Sequence, residues 1–257
     1  MRTVNAGIGY MLGLLVLSMT IATSYADESA EVVVAEGNVT VTDGLGKDKR
    51  AVHSKSTFPT GSILSTGSDA RAVVRVGTDG FIVLGKSSQI EIGKSKEQIG
   101  FFRQITGIIY YALNLIKGNR RAIEVRTTTT TIGIRGTRFI VTDTDENKEI
   151  GMRKGVVSVS SPEGEFEIHK KALQDEFEAL KQEGDVALAR QQREFADYSA
   201  NSQKEFIEYK RDFSLEANRM ASFDGKRVDE RPLSGETKIN MESFESYATE
   251  WLKQVHD

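Results

Sequence analysis

A mainly β N-terminal domain, solenoid-like or a twisted β-sandwich, followed by a long α-helical C-terminal region is the fold this sequence predicts. Three observations predict it. Of the 23 glycines in 257 residues, 17 lie between positions 27 and 169, where they punctuate β-branched runs of period two. Beyond residue 170 the apolar spacing changes from two to the 3.6 of an amphipathic helix. The chain has no cysteine, so stability must come from packing rather than disulfides.

The same counts exclude functions. Zinc fingers, thiol nucleophiles and thiolate-held iron–sulfur clusters all need cysteine. With 34 Lys+Arg against 37 Asp+Glu and no dominant basic block, no nucleic-acid partner is expected.

In chain order, residues 1–26 read as a signal peptide. Arg2 is the lone cation before an uncharged stretch to Tyr25. Its apolar centre is Met11–Leu17, and Ser24-Tyr25-Ala26 form a small-residue cleavage site. The apolar core is shorter than the roughly 20 residues of a spanning helix, so no stable membrane span is expected after cleavage, an uncleaved anchor being the other reading. The exported remainder has 33 − 37 = −4 charge. Its expected location is the periplasm, with secretion as the alternative.

Residues 27–169 form the β domain. Strands are predicted at Val39–Val41, Ala72–Val76, Phe81–Leu84, Gln89–Ile92, Ile108–Leu113, Ile123–Thr127, Phe139–Thr142, Glu149–Met152, Val156–Val159 and Phe166–Ile168. Asp79-Gly80 marks a hairpin, because glycine supplies the positive φ of a tight turn. The run Thr127–Thr131 reads as strand surface.

A long amphipathic helix is predicted over 170–222. Its stripe, from Phe177 through Phe195, Tyr198, Phe206 and Tyr209 to Phe213, covers 36 residues in ten steps. Arg193–Tyr198 is echoed eleven residues later by Lys204–Tyr209, a coiled-coil-like repeat that keeps the stripe nearly straight. A helix of about 50 residues would be roughly 75 Å long and overhang the β half. Phe195, Tyr198, Phe206 and Tyr209 are therefore candidate contacts for a protein partner or a second copy. Residues 223–257 read as a polar linker and a short helix at 240–254, whose Phe244, Tyr247, Ala248, Trp251 and Leu252 fold back onto the long one.

Three motifs carry a resemblance: Leu64–Gly80; Ile123–Thr128 with Ile132-Gly133-Ile134-Arg135-Gly136-Thr137-Arg138-Phe139-Ile140-Val141; and Gly155-Val156-Val157-Ser158-Val159, with an opening version at Gly37–Val41. In this order they resemble a FecR-type domain, over about residues 31–169. The resemblance implies a periplasmic all-β domain. In iron-uptake regulators of that family such a domain relays a transporter's state to a cytoplasmic sigma factor. Only about seven residues precede the apolar core here, so the sigma-factor role is not expected. Thr127-Thr128 replaces the family's frequent Thr-Pro, which predicts a less rigid turn. Arg135 and Arg138, alternating with apolar neighbours, are candidate contacts for an acidic partner; the plainer reading is a solvated edge.

Little points to chemistry. Asp143-Thr144-Asp145-Glu146-Asn147 imitates half a calcium loop, but Lys148 and Lys154 occupy the positions that need Gly and Glu, so an acidic hairpin tip is expected. His53, His169 and His256 have no ligand spacing. No catalytic residue, metal site or cofactor is expected. The sequence supports a non-catalytic, signalling-related binding module of the cell envelope. A cell-wall or polysaccharide enzyme, with the β half as a platform for envelope glycan, and a structural assembly subunit are the alternatives.

Overall fold

The structure is a computed structural model that describes residues 29–44, 46–76, 80–95, 98–113, 123–170 and 206–254. Their nineteen strands form two sheets that face each other. Sheet A runs, edge to edge, β4 (Ser56–Pro59), β1 (Ser29–Glu36), β6 (Arg71–Val76), β7 (Gly80–Leu84), the second half of β9 (Gln98–Leu113), β12 (Thr137–Asp143), β13 (Lys148–Lys154), β18 (Arg219–Asp224), β19 (Arg227–Pro232), β15 (Phe166–Lys170) and β16 (Phe206–Lys210). Sheet B runs β3 (Lys49–Ala51), β2 (Val39–Thr42), β5 (Ile63–Thr66), β8 (Gln89–Ser95), the first half of β9, β10 (Ile123–Arg126), β11 (Thr131–Ile134), β14 (Val156–Ser160) and β17 (Asp212–Glu216). The single described helix, α1 (Gly235–Gln254), lies on the outer face of sheet A.

Period-two alternation builds the core. In β2, β5 and β17 every second side chain is buried, and these residues meet those of sheet A in one cluster containing Leu64, Ile82, Ile90, Phe102, Phe139 and Val157. The Tyr111 and Phe139 rings stack there with centroids 4.9 Å apart.

β9 belongs to both sheets. Residues before Gly107 pair with β8 and those after it with β7 and β12, so one strand bends from B into A. Gly107 makes the bend at φ +96°, with a Cβ there only 2.5 Å from the Ser88 Cα. Backbone groups that leave one ladder before entering the next need partners. Gln104, 1% exposed, donates to the carbonyls of Gly107 (2.9 Å) and Val141 (3.1 Å) and accepts from the Tyr111 hydroxyl (3.0 Å). Ser88 Oγ donates to the Ile108 carbonyl and accepts from the Ile108 amide. The Thr66 hydroxyl does the same between the Gly85 carbonyl and the Ser88 amide.

The most recognisable sequence motif is also such a corner. Arg135-Gly136 carries the chain from β11 in sheet B to β12 in sheet A, and Gly155 returns it from β13 to β14. The corners touch: a Cβ at Gly155 (φ +85°) would lie 2.9 Å from Thr137 Cγ2 and 3.0 Å from the Gly136 carbonyl oxygen.

Each strand predicted from the sequence coincides with an observed one, and Thr144–Asn147 closes the β12–β13 hairpin. The long α-helical C-terminal region does not stand. From Phe206 onward the predicted helix is replaced by β16, β17 and β18, which pair with β15, β14 and β13. Asp212-Phe213-Ser214-Leu215-Glu216 alternates exposed and buried, so Phe213 fills the core as a strand residue. The expected linker is the β18–β19 hairpin, turning at Asp224-Gly225. Residues 171–205, including Phe195 and Tyr198, lie outside the described residues, as does the 1–26 segment. The short helix begins at Gly235, earlier than expected, because the Ser234 hydroxyl caps the Thr237 amide at 3.1 Å. It covers sheet A. Among the described residues no helix is long and apolar enough to cross a membrane.

Gly155→Ala is expected to cost about 2–4 kcal/mol, combining left-handed strain with the corner clash. Gly225→Ala, where nothing lies within 4 Å of the new Cβ, should cost only about 1 kcal/mol. Urea melts of the two variants, compared with the parent, check the difference.

Candidate functional site

The outer face of sheet A has two halves. On β1, β6, β7, β9 and β12 it is apolar: Val33, Val73, Val83, Tyr110, Ala112 and Ile140 are buried beneath α1. The helix meets them with Met241, Phe244, Tyr247, Ala248, Trp251 and Leu252, at the spacing of one helical face. Phe244 stacks on Tyr110, interplanar angle 3° and centroids 6.4 Å apart. Burial pushes the Tyr110 phenol well above its usual range, and the nearby Glu245 carboxylate adds to this, so the ring stays neutral under helix cover.

Charges frame this apolar contact. Arg138 on β12 pairs with Glu245 of the helix. Arg153 on β13 reaches Glu245 at 3.4 Å and Glu242 at 3.7 Å. The Arg71 guanidinium lies over the Tyr247 ring, 5.7 Å from its centroid. A cavity of about 390 Å³ opens where the N-terminal turns of the helix meet sheet A, between Ile140, Glu149, Arg231 and Asn240.

Apart from Met220, which joins the apolar cluster under α1, the second half, on β13, β18, β19, β15 and β16, is polar and internally paired. Arg231 donates to both Glu149 and Ser222 at 2.7 Å, and Ser222 donates to Glu149 at 2.8 Å. Arg227 pairs with Asp229 at 2.9 Å, and His169 Nε2 lies 2.8 Å from Glu167. At the margin stand Ile207 and Tyr209, 50% and 64% exposed. Between the two, the Glu208 carboxyl is held below the usual carboxylate range by its hydrogen bond to Lys210.

Thr127–Thr130 form a turn and not strand surface, and Thr131 alone of the run belongs to a strand, as the first residue of β11. The Thr127 hydroxyl accepts from the amides of Thr129 (3.2 Å) and Thr130 (3.0 Å), so it supplies the order a proline would otherwise give. Thr128 donates through its amide and hydroxyl to the buried Asp143 carboxylate, which Lys148 also meets at 2.7 Å. Asp143, the first residue of the calcium-like loop, is thereby committed to structure. Among the described residues no three His, Asp or Glu side chains are placed to share a metal ion.

Of the contacts the sequence singled out, the structure sets Arg138 against an acid of its own chain and leaves Arg135 exposed at the corner beside it. Phe206 and Tyr209 lie together on β16, far along sheet A from those arginines in strand order. Sequence reasoning missed Arg153, Glu242 and Glu245. Glu242 and Glu245, three apart on one flank of the amphipathic helix, were the available signal.

Residues 62–158 match the family model described as FecR protein, a span from just before β5 into β14 that contains β9, both arginines and the Gly136 and Gly155 corners. No curated protein matches the chain. Two crystal structures described as a "putative anti-sigma factor" from Parabacteroides distasonis are similar to it, with TM-scores of 0.44 and 0.43 at 12% identity, over 68% of this chain. The chain spans 61% of those structures' length.

Apolar burial should dominate the hold on α1. Met241→Ala is expected to cost about 2–3 kcal/mol, as a fully buried side chain. Arg138→Ala, at a pair whose arginine side chain is 42% exposed, should cost about 0.2–1 kcal/mol. Denaturant midpoints, with Trp251 fluorescence reporting on the helix, check the order.

Proposed function

We propose that this chain is a non-catalytic, signalling-related interaction module of the cell envelope, whose working surface is the α1-covered face of sheet A. One observation carries the reading. Arg138 and Arg153, both within the FecR-matched segment, hold two glutamates of an amphipathic helix from the same chain. A surface that accepts an acidic amphipathic helix from its own chain has the relief and charge to accept one from a partner. Helix α1 is then the resident occupant, and a partner helix competes with it. Arg135, exposed on the corner next to Arg138, extends the basic rim that such a partner meets.

The FecR match and the signal-peptide pattern of residues 1–26 support an exported, periplasmic location. The non-catalytic reading is supported by what the buried ionisable groups do. Asp143 is saturated by Thr128 and Lys148, and His169 is bonded to Glu167. Both are held by partners of their own chain, an arrangement that suits structure better than acid, base or nucleophile work.

The test is photo-crosslinking in cells from position 135, in the parent and in Ala248→Glu, which places a charge at a fully buried helix position. A discrete adduct in the periplasmic fraction that rises several-fold in Ala248→Glu is expected. An adduct indifferent to helix release, or soluble sugars released from purified cell wall by the pure chain, would overturn the reading.

A further inference from the structure

Among the described residues each sheet ends in two edges, β4 and β16 in sheet A and β3 and β17 in sheet B, and every edge offers a row of backbone groups that another strand can extend. Three of these four edges are blunted. β3 is three residues long with Lys49 and Arg50 exposed; β4 ends in Pro59; β17 turns Asp212, Ser214 and Glu216 outward. β16 differs. Among the described residues it pairs with β15 alone, and its outward side chains are Ile207 and Tyr209, half or more exposed.

The pattern of this strand matches itself. We propose that two copies of the chain associate by antiparallel pairing of β16 with β16, about a two-fold axis at Glu208, joining two A sheets into one. In that register Ile207 of each copy lies opposite Tyr209 of the other, an aromatic on β-branched cross-strand pair made twice. The two Glu208 residues face each other, but neither is bare. Lys210 lies 2.6 Å from the carboxylate and Lys170 3.5 Å, so four lysines surround two glutamates across the axis. Each Glu208 is also diagonal to Lys210 of the other copy, within reach of a long side chain. An unrelated strand would have to supply this apolar and charged sequence; a second copy already carries it. The symmetry is closed, so the assembly stops at two.

This inference goes beyond the function proposed above. It uses a different part of sheet A, so loss of one leaves the other standing. The chain has no cysteine, which allows a clean register test. Glu208→Cys is expected to give a disulfide-linked dimer on mild oxidation, because position 208 alone lies opposite itself. Sedimentation of the full mature chain should show a dimer. I207K/Y209K should weaken association at least tenfold while circular dichroism stays unchanged, and I207E/Y209E should do the same. Mixing the two variants should restore a dimer, since each Lys then opposes a Glu. A parent chain that is monomeric at high micromolar concentration would overturn the proposal, including the case where residues 171–205 of the same chain cover the edge. So would association undiminished in I207K/Y209K, or variants that do not recombine.

Discussion

The structure depends on one constraint: a chain that weaves between two facing sheets must bring its backbone across at many points without leaving buried amides and carbonyls unbonded. Side chains meet that demand at the β9 crossing. Gln104, Ser88 and Thr66 supply bonds where the ladders are interrupted, and Gly107 supplies a bend that no side-chain-bearing residue fits. The Gly136 and Gly155 corners solve the same problem by stacking on each other. The most conspicuous motif of the sequence is therefore an architectural joint. Its arginines are displayed by the joint rather than being the reason for it.

The outer face of sheet A follows from this weave. Because β1, β6, β7, β9 and β12 lie side by side, their outward residues form one apolar strip, which water would penalise if it were bare. Helix α1 covers it, and Arg138 and Arg153 fix the helix's direction and register more than its binding energy. Where the sheet continues without the helix, the outward residues turn polar and pair among themselves, through Arg231 with Glu149 and Arg227 with Asp229.

The β half was legible because alternation and glycine punctuation are local signals, and each predicted strand lies in a place where both are strong. The C-terminal strands were misread for a physical reason. Phe206, Tyr209 and Phe213, spaced three and four apart, satisfy a helical stripe, yet Phe213 is buried with Leu215 in a strand of strict alternation. Asp224-Gly225 carried the same hairpin signal as Asp79-Gly80, but the charged residues around it imitated a linker. Arg227, Asp229 and Arg231 are the outward positions of β19, while Glu230 is buried on the inner side and pairs with Arg219. The acid opposite Arg138 was not legible, since no local pattern says that residue 245 returns to residue 138.

The shared strand has a mechanical consequence. Where two sheets are joined only by packing, they can slide or peel apart with small loss. Here residues on either side of Gly107 are linked by covalent bonds within β9, so a tug on sheet B is transmitted along the main chain into the layer that bears α1. A disturbance on one wall of the molecule thus reaches the other as a rigid displacement, and the two walls should melt as a single cooperative body.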